Sequence, residues 1–357
     1  MSLRFNLRGA TVACALAAAA VSGSAAASTI NQNTSWTIDR AGTTTRYRVV
    51  AYGDSIFAGY NGGLFSVARR SAPYTSGEYL GVKWNADIEV VRRTKSGAKA
   101  DDIYNNKIVS ERSYMQDATT RVVVFEMCGN DYLQARSAFQ DQTGTCSYSG
   151  LDSALAACTT YTERAMQAIN QYATTAKAKI VMNIYYPGYN SDNVLTSCTD
   201  SSTGTKINRR DKFLPYLAKS NWRTCNLAAQ YGFKCADAFA ESMAADYDSN
   251  GDGQIDADAI RWHAGESETD YVNRIVSLKA TLRDSNTHFV NATTSYDYLQ
   301  SDDTHQTYYK STISTGSGSA VPDFTDAQIV SGKNPEWNKW GHERTGWSIS
   351  TYNPAAP

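Results

Sequence analysis

Four short segments of this chain hold between them every kind of group that acyl transfer needs. They are Gly53-Asp54-Ser55, Gly97, Gly129-Asn130-Asp131 and Asp302-Asp303-Thr304-His305. A serine hydroxyl is a weak nucleophile until a base takes its proton. Histidine does this near neutral pH, and a carboxylate that holds the imidazole sets its tautomer and steadies the imidazolium. The three-residue step from Asp302 to His305 lets one short turn present both groups. A developing oxyanion needs N–H donors, which the Ser55 and Gly97 backbone and the Asn130 amide can supply; loss of one such donor costs about 3 kcal/mol. Gly97 also permits close backbone approach to a substrate. Singly, each segment reads as an ordinary turn or cap. The ordered set is what carries the chemistry. His263, His288 and His342 lack an aspartate at the same offset and read as surface or structural residues, while Asp303 sits at a different offset from His305.

These groups must be brought to one place by the elements that bear them. Residues 47–52 (Tyr-Arg-Val-Val-Ala-Tyr), 88–91 (Ile-Glu-Val-Val), 122–127 and 179–185 read as four apolar, β-branched strands, with a further strand at 232–236 or 288–291. Helical patterns lie between them near 151–175, 209–230 and 266–284, the last amphipathic through Tyr271, Ile275, Leu278 and Leu282. The alternation predicts an α/β, doubly wound (flavodoxin-like) three-layer sandwich with a central sheet of five or six mainly parallel strands. In such a sheet ligands sit beyond the carboxyl ends of the strands. Ser55 follows the first strand, Gly97 the second and Asn130 the third, so all three fall on that rim.

With these residues in this order and these strand contexts, the chain resembles the SGNH or GDSL hydrolases across about residues 46–311. Gly53-Asp54-Ser55, Gly97, Gly129-Asn130-Asp131 and Asp302 to His305 match the four blocks of that family in order. The resemblance implies that Ser55 is the nucleophile, His305 and Asp302 its triad partners, and Gly97 and Asn130 oxyanion donors. It also implies a carboxylic ester hydrolase without an organic cofactor, acting on a lipid or other small acyl ester, or alternatively on an O-acetylated polysaccharide. Two positions depart from the family pattern. Cys128 stands where a glycine is usual, and Gln306 follows the histidine where proline is frequent. The rival of a different class is a non-catalytic carbohydrate- or surface-binding module on the same fold, against which the intact catalytic set argues.

The remaining features bound the setting. Arg4 and Arg8, an apolar stretch from about Gly9 to Val21 and Ala25-Ala26-Ala27 read as a signal peptide over 1–27, and hence as a secreted protein. That apolar run is too short to span a bilayer. Residues 28–311 read as the hydrolase domain and 312–357 as a polar, loosely attached extension, with Trp337, Trp340 and Trp347 as its ordering points. Removing the two leader arginines takes the formal charge from −1 to −3, because residues 1–27 hold no acid. With no long basic run, nucleic acid is not expected as a partner. Six cysteines follow the leader, and in an exported chain they read as three disulfides, with Cys146–Cys158 as the favoured local pair. No cysteine or histidine spacing fits zinc. Within the acidic loop 246–258, Asp248, Asn250, Asp252, Gln254 and Asp256 fall at the ligand places of an EF-hand loop. Ala259 stands where the bidentate acid belongs, and Asp258 lies one residue early. Calcium is the ion this pattern predicts.

Overall fold

The computed structural model describes residues 29–40, 42–60, 67–244, 257–282, 298–300, 302, 304–308, 325–331 and 341–357. At its centre are seven strands: β1 (Ile30–Asn31), β2 (Thr34–Ile38), β3 (Arg46–Gly53), β4 (Asp87–Ser96), β5 (Thr120–Glu126), β6 (Ala178–Met182) and β7 (Lys234–Ala236). The strands β4, β3, β5, β6 and β7 lie side by side in that order and all run parallel. This is the flavodoxin-like arrangement in which the second parallel strand lies outside the first. The α/β class and the doubly wound sheet are as expected. Of the two places foreseen for a last strand, 232–236 holds β7, and 288–291 lies outside the described residues. Two strands were not foreseen. β1 and β2 pair antiparallel with the outer side of β4. Their Thr- and Ser-rich sequence lacks the apolar run of a doubly covered strand, as suits an edge.

Side chains of one strand alternate between the sheet's two faces, and each face has its own core. Val50, Tyr52, Val123, Phe125 and Val181 pack with Leu151, Met166, Phe213 and Ile275 on one side. Val49, Ala51, Val122, Val124 and Ile180 pack with Leu80 and Ile349 on the other. The helices of the first face are α4 (Gly129–Gln140), α5 (Ser149–Tyr172), α6 (Arg209–Tyr231) and α8 (Glu268–Ser277). Those of the second are α2 (Ala72–Trp84) and α10 (Gly341–Ser350), while α7 (Ala238–Met243) gives Ala238 to the second core and Phe239, Ala240 and Met243 to the first. Short helical pieces at α1 (Ser55–Ala58), α3 (Ala100–Ile103, continued by a π-helical turn to Val109) and α9 (Asp326–Ser331), with 3-10 turns at Arg112–Tyr114 and Ala257–Ala259, complete the described elements.

The carboxyl-terminal segment is not loosely attached where it is described. α10 packs on α2, Ile349 is fully buried, and Arg344 pairs with Glu241 at 2.6 Å. Gly346 allows this closeness, since a Cβ there would collide with Ala72 and Thr75 of α2, in a segment that composition alone read as polar tail. Trp337 and Trp340 lie outside the described residues.

The cysteines also correct the sequence reading. Cys146 bonds Cys198 and not Cys158, and Cys225 bonds Cys235. Cys128 and Cys158 are buried free thiols. The local pair fails because α5 begins at Ser149 and carries Cys158 about 13 Å along its axis, at 1.5 Å per residue. Cys146 meanwhile lies in the loop beside Thr199, to whose carbonyl its N–H donates at 2.9 Å. Converting Cys146 and Cys198 together to serine should cost about 4 kcal/mol, from the loop of 52 residues that the bond closes. Denaturant melts of the two proteins measure it. Thiol titration of unfolded, unreduced residues 28–357 should find two thiols rather than none.

Candidate active site

β3 ends at Gly53, and the chain turns at once into the single helical turn α1. Asp54 caps that turn, its Oδ1 accepting the Ile56 N–H at 2.8 Å, which leaves Ser55 as the first helical residue. In a parallel sheet neighbouring strands finish on the same rim. Gly53 lies opposite Thr94 of β4, so Gly97 and Ala98 emerge beside Ser55. Gly97 adopts φ 77°, a left-handed conformation that glycine takes at no steric cost. β5 finishes at Glu126 and α4 begins at Gly129, setting Asn130 on the same rim.

The histidine arrives from the other end of the chain. His305 Nε2 lies 2.8 Å from Ser55 Oγ, and its Nδ1 lies 2.5 Å from Asp302 Oδ2. Asp302 Oδ1 accepts the backbone N–H groups of Thr304 and His305 at 3.0 and 2.9 Å. The acid therefore shapes the turn with one oxygen and orients the ring with the other. Partial burial pushes the Asp302 carboxyl up, but the hydrogen bonds from the His305 ring and backbone, with the ring's charge, outweigh it and bring it down to about 2. The Tyr60 ring lies over the imidazole, centroids 4.1 Å apart, and Tyr185 donates its hydroxyl to the Thr304 carbonyl at 2.6 Å. Gln306, at the place where proline is frequent, is buried and donates to Thr345 of α10 at 2.6 Å. The departure from the family pattern thus ties the histidine turn to the C-terminal helix.

Asn130 reaches the site with both amide hydrogens engaged. Nδ2 donates to Asp54 Oδ2 at 2.9 Å and to the Ala98 carbonyl at 3.0 Å. To serve an oxyanion the amide must exchange one of these partners, as catalytic hydrogen bonds often do on substrate binding. Asp131 reinforces the same loops. Its Oδ2 accepts the Ala100 N–H at 2.9 Å, and burial raises its carboxyl to about 6. Cys128 occupies φ 86°, the left-handed region that favours glycine, which is why a glycine is usual there. The Cys128 thiol packs beside Cys158 and Thr162, 3.8 Å from the threonine hydroxyl.

Ser55 lines a narrow cleft. Leu133, Ile184, Tyr185, Pro187, Phe213 and Leu217 make its walls mostly apolar. Arg136 at its side is held by both carboxylate oxygens of buried Asp192, at 2.6 and 3.0 Å. The loop 187–208 does shape this cleft, as Pro187 and Asp192 show.

The sequence reading had passed over Glu126, Tyr60 and Asp192. A lone acid ending the run Val122 to Phe125 was the visible signal for Glu126; nothing local pointed to the other two. Of the loop residues assigned to calcium, Asp248, Asn250, Asp252, Gln254 and Asp256 lie outside the described residues. Asp258 is described, exposed and 3.6 Å from His263 Nε2. Among the described residues no group of three His, Cys, Asp or Glu could hold a metal ion. No helix among them is long and apolar enough to cross a membrane.

Residues 49–326 match the family model described as GDSL-like Lipase/Acylhydrolase. No curated protein sequence matches the chain. Among solved structures, the lipase Lip_vut3 from a goat rumen metagenome is similar at 18% identity and a TM-score of 0.41, over 67% of this chain and 97% of its own. An extracellular lipase from Streptomyces rimosus is similar at 18% identity and a TM-score of 0.40, over 55% and 81%. The acetylxylan esterase Axe2 from Geobacillus stearothermophilus, in a catalytic-mutant form, is similar at 13% identity and a TM-score of 0.34, over 57% and 80%.

Proposed function

The chain belongs to the GDSL-like lipases and acylhydrolases and is a carboxylic ester hydrolase, and from that premise we propose that it is a secreted serine esterase for esters of apolar acyl chains. The observation that carries the reading is the line Asp302–His305–Ser55, hydrogen-bonded throughout, at the mouth of the apolar cleft. Ser55 Oγ attacks the ester carbonyl while His305 Nε2 takes its proton. Asp302, ionised, holds the Nδ1–H and stabilises the imidazolium. The Ser55 and Gly97 N–H groups and the Asn130 amide, once it releases Ala98, receive the oxyanion. His305 then protonates the leaving alcohol, and the acyl chain stays in the cleft bonded to Ser55. Water, deprotonated by His305, attacks the acyl-enzyme and frees the acid.

A panel of p-nitrophenyl esters from acetate to palmitate, run beside acetylated xylan, tests the substrate class. Each methylene buried in the cleft should raise kcat/KM about fourfold until the cleft is filled, from about 0.8 kcal/mol per buried CH₂. Fastest turnover on acetate, together with deacetylation of xylan, would replace this class by O-acetyl polysaccharides.

Two further proposals rest on sequence. The 1–27 segment supports export as a signal peptide. The acidic loop supports one structural calcium, held by Asp248, Asn250, Asp252, Asp256 and the Gln254 carbonyl, with Asp258 in the last place. Calcium at a hundredfold excess over its dissociation constant should stabilise the protein by about 2.7 kcal/mol. Coincident melting curves in EDTA and in calcium would remove the ion from the description.

A further inference from the structure

Beneath the nucleophile turn lies a second pair of carboxyl groups. Glu126, the last residue of β5, and Asp54 are each 1% exposed. Glu126 Oε1 accepts the Asp54 N–H at 2.6 Å. Its carboxyl lies so flat against the turn that any Cβ at residue 53 would collide with it, which accounts for Gly53. The Asp54 charge acts directly on the Glu126 carboxyl. Two neighbouring carboxyl groups in so dry a site are not both ionised.

The geometry decides which one keeps the proton. Asp54 accepts N–H donors from Ile56 and Asn130 and lies within the field of His305. Glu126 accepts the Asp54 N–H. The other titratable groups facing the pair are Cys128 on the following turn and Tyr185 beyond β6. Arg136, the cation of the same cleft, is engaged with Asp192. We propose that Glu126 is a positioning residue that works protonated. Its O–H donates to the Asp54 carboxylate, its carbonyl oxygen receives the Asp54 N–H, and so held, Asp54 fixes both the Ser55 turn and the Asn130 amide. In agreement, burial and then the neighbouring Asp54 charge push the Glu126 carboxyl well above the usual carboxylate range. Asp54 is also pushed up by burial, but its N–H donors, the Glu126 hydrogen bond and His305 pull it back.

The proposal deepens the esterase reading and rests on it, so the test pairs kinetics with a measurement that needs no turnover. Glu126→Ala should lower kcat by about 10²-fold, the scale of a lost oxyanion donor, with KM changed by less than about threefold. Glu126→Gln presents the same acceptor and donor as a protonated Glu126, and should restore kcat to within about tenfold of the parent. It should also lack any alkaline fall in kcat that the parent shows as Glu126 ionises. Independently of activity, the infrared difference between the parent and Glu126→Gln at neutral pH should contain the C=O stretch of a protonated carboxyl. Absence of that band, or a Glu126→Gln rate as low as that of Glu126→Ala, would show that Glu126 acts ionised and overturn the proposal. A Glu126→Ala enzyme at the parent's rate would do the same. A parent that hydrolyses no ester and takes up no fluorophosphonate would instead overturn the esterase reading, leaving the infrared result to judge the pair.

Discussion

Ser55→Ala should abolish ester turnover and fluorophosphonate labelling while leaving the melting temperature nearly unchanged. Ser55 is 7% exposed, and its hydroxyl meets the His305 ring at 2.8 Å, so the substitution removes one oxygen and no packing. The helix cap survives because it belongs to Asp54. The loss in kcat should be about 10⁶-fold, the scale on which serine and histidine of such a unit fail together. His305→Ala should be as severe, and the double substitution no worse than either, because the nucleophile without its base is already inert. Turnover at even a hundredth of the parent's rate by Ser55→Ala, with purity controlled by active-site titration, would remove Ser55 from the mechanism.

Asp302→Asn should lower kcat by about 10⁴-fold without unfolding the protein. Its amide oxygen can still accept the N–H groups of Thr304 and His305, so the turn persists. The amide nitrogen, however, would then donate to His305 Nδ1 where the carboxylate now accepts. That reverses the tautomer, leaves Nε2 protonated, and prevents it from taking the Ser55 proton. Asp302→Ala, with neither oxygen, should be at least as damaging and should lower the melting temperature as well. A parent-like kcat for Asp302→Asn would show that the acid does not set the tautomer. The pH dependence has a definite sign. The Asp302 carboxyl, ordinarily at 3.8, stands at about 2 in the folded protein. Its contribution to stability is therefore complete above about pH 4 and fades as the pH falls toward 2. The native chain should lose an acid-side increment of stability there that Asp302→Asn lacks, as acid melts of the two would show.

The candidate catalytic set could be read from sequence because each member is fixed by a local event. A strand ends, a glycine permits the turn, and a polar residue is left on the rim. Ser55, Gly97 and Asn130 each follow a strand in this way, and the parallel sheet then requires that they meet. Asp302 and His305 were legible through their spacing, which one turn satisfies with two backbone hydrogen bonds. The four long parallel strands were visible as apolar runs because both faces of each are covered. β1 and β2 were not, since an edge strand needs no such run. α2 was missed for the opposite reason. Nine of its residues are buried, from Ala72 to Gly81, so no polar stripe marks its period.

By itself, then, the sequence determined the fold class, the order of the candidate catalytic groups and their shared rim, all of which follow from periodicities and turns a few residues long. Tertiary structure decided whatever depends on residues distant in the chain. The meeting of Ser55 with a histidine 250 residues away is one case. Another is the choice of Cys198 over Cys158 as the partner of Cys146, where the helix rise removes the nearer thiol and the loop brings the farther one. The docking of α10 on the histidine turn through Gln306 and Thr345 is a third. So is the protonation of Glu126, since an acid at the end of a strand is ordinary until the fold lays Asp54 against it and excludes water. Local pattern specifies direction and period along the chain, whereas partner choice and charge state follow from the packing that sets distance and dielectric between segments.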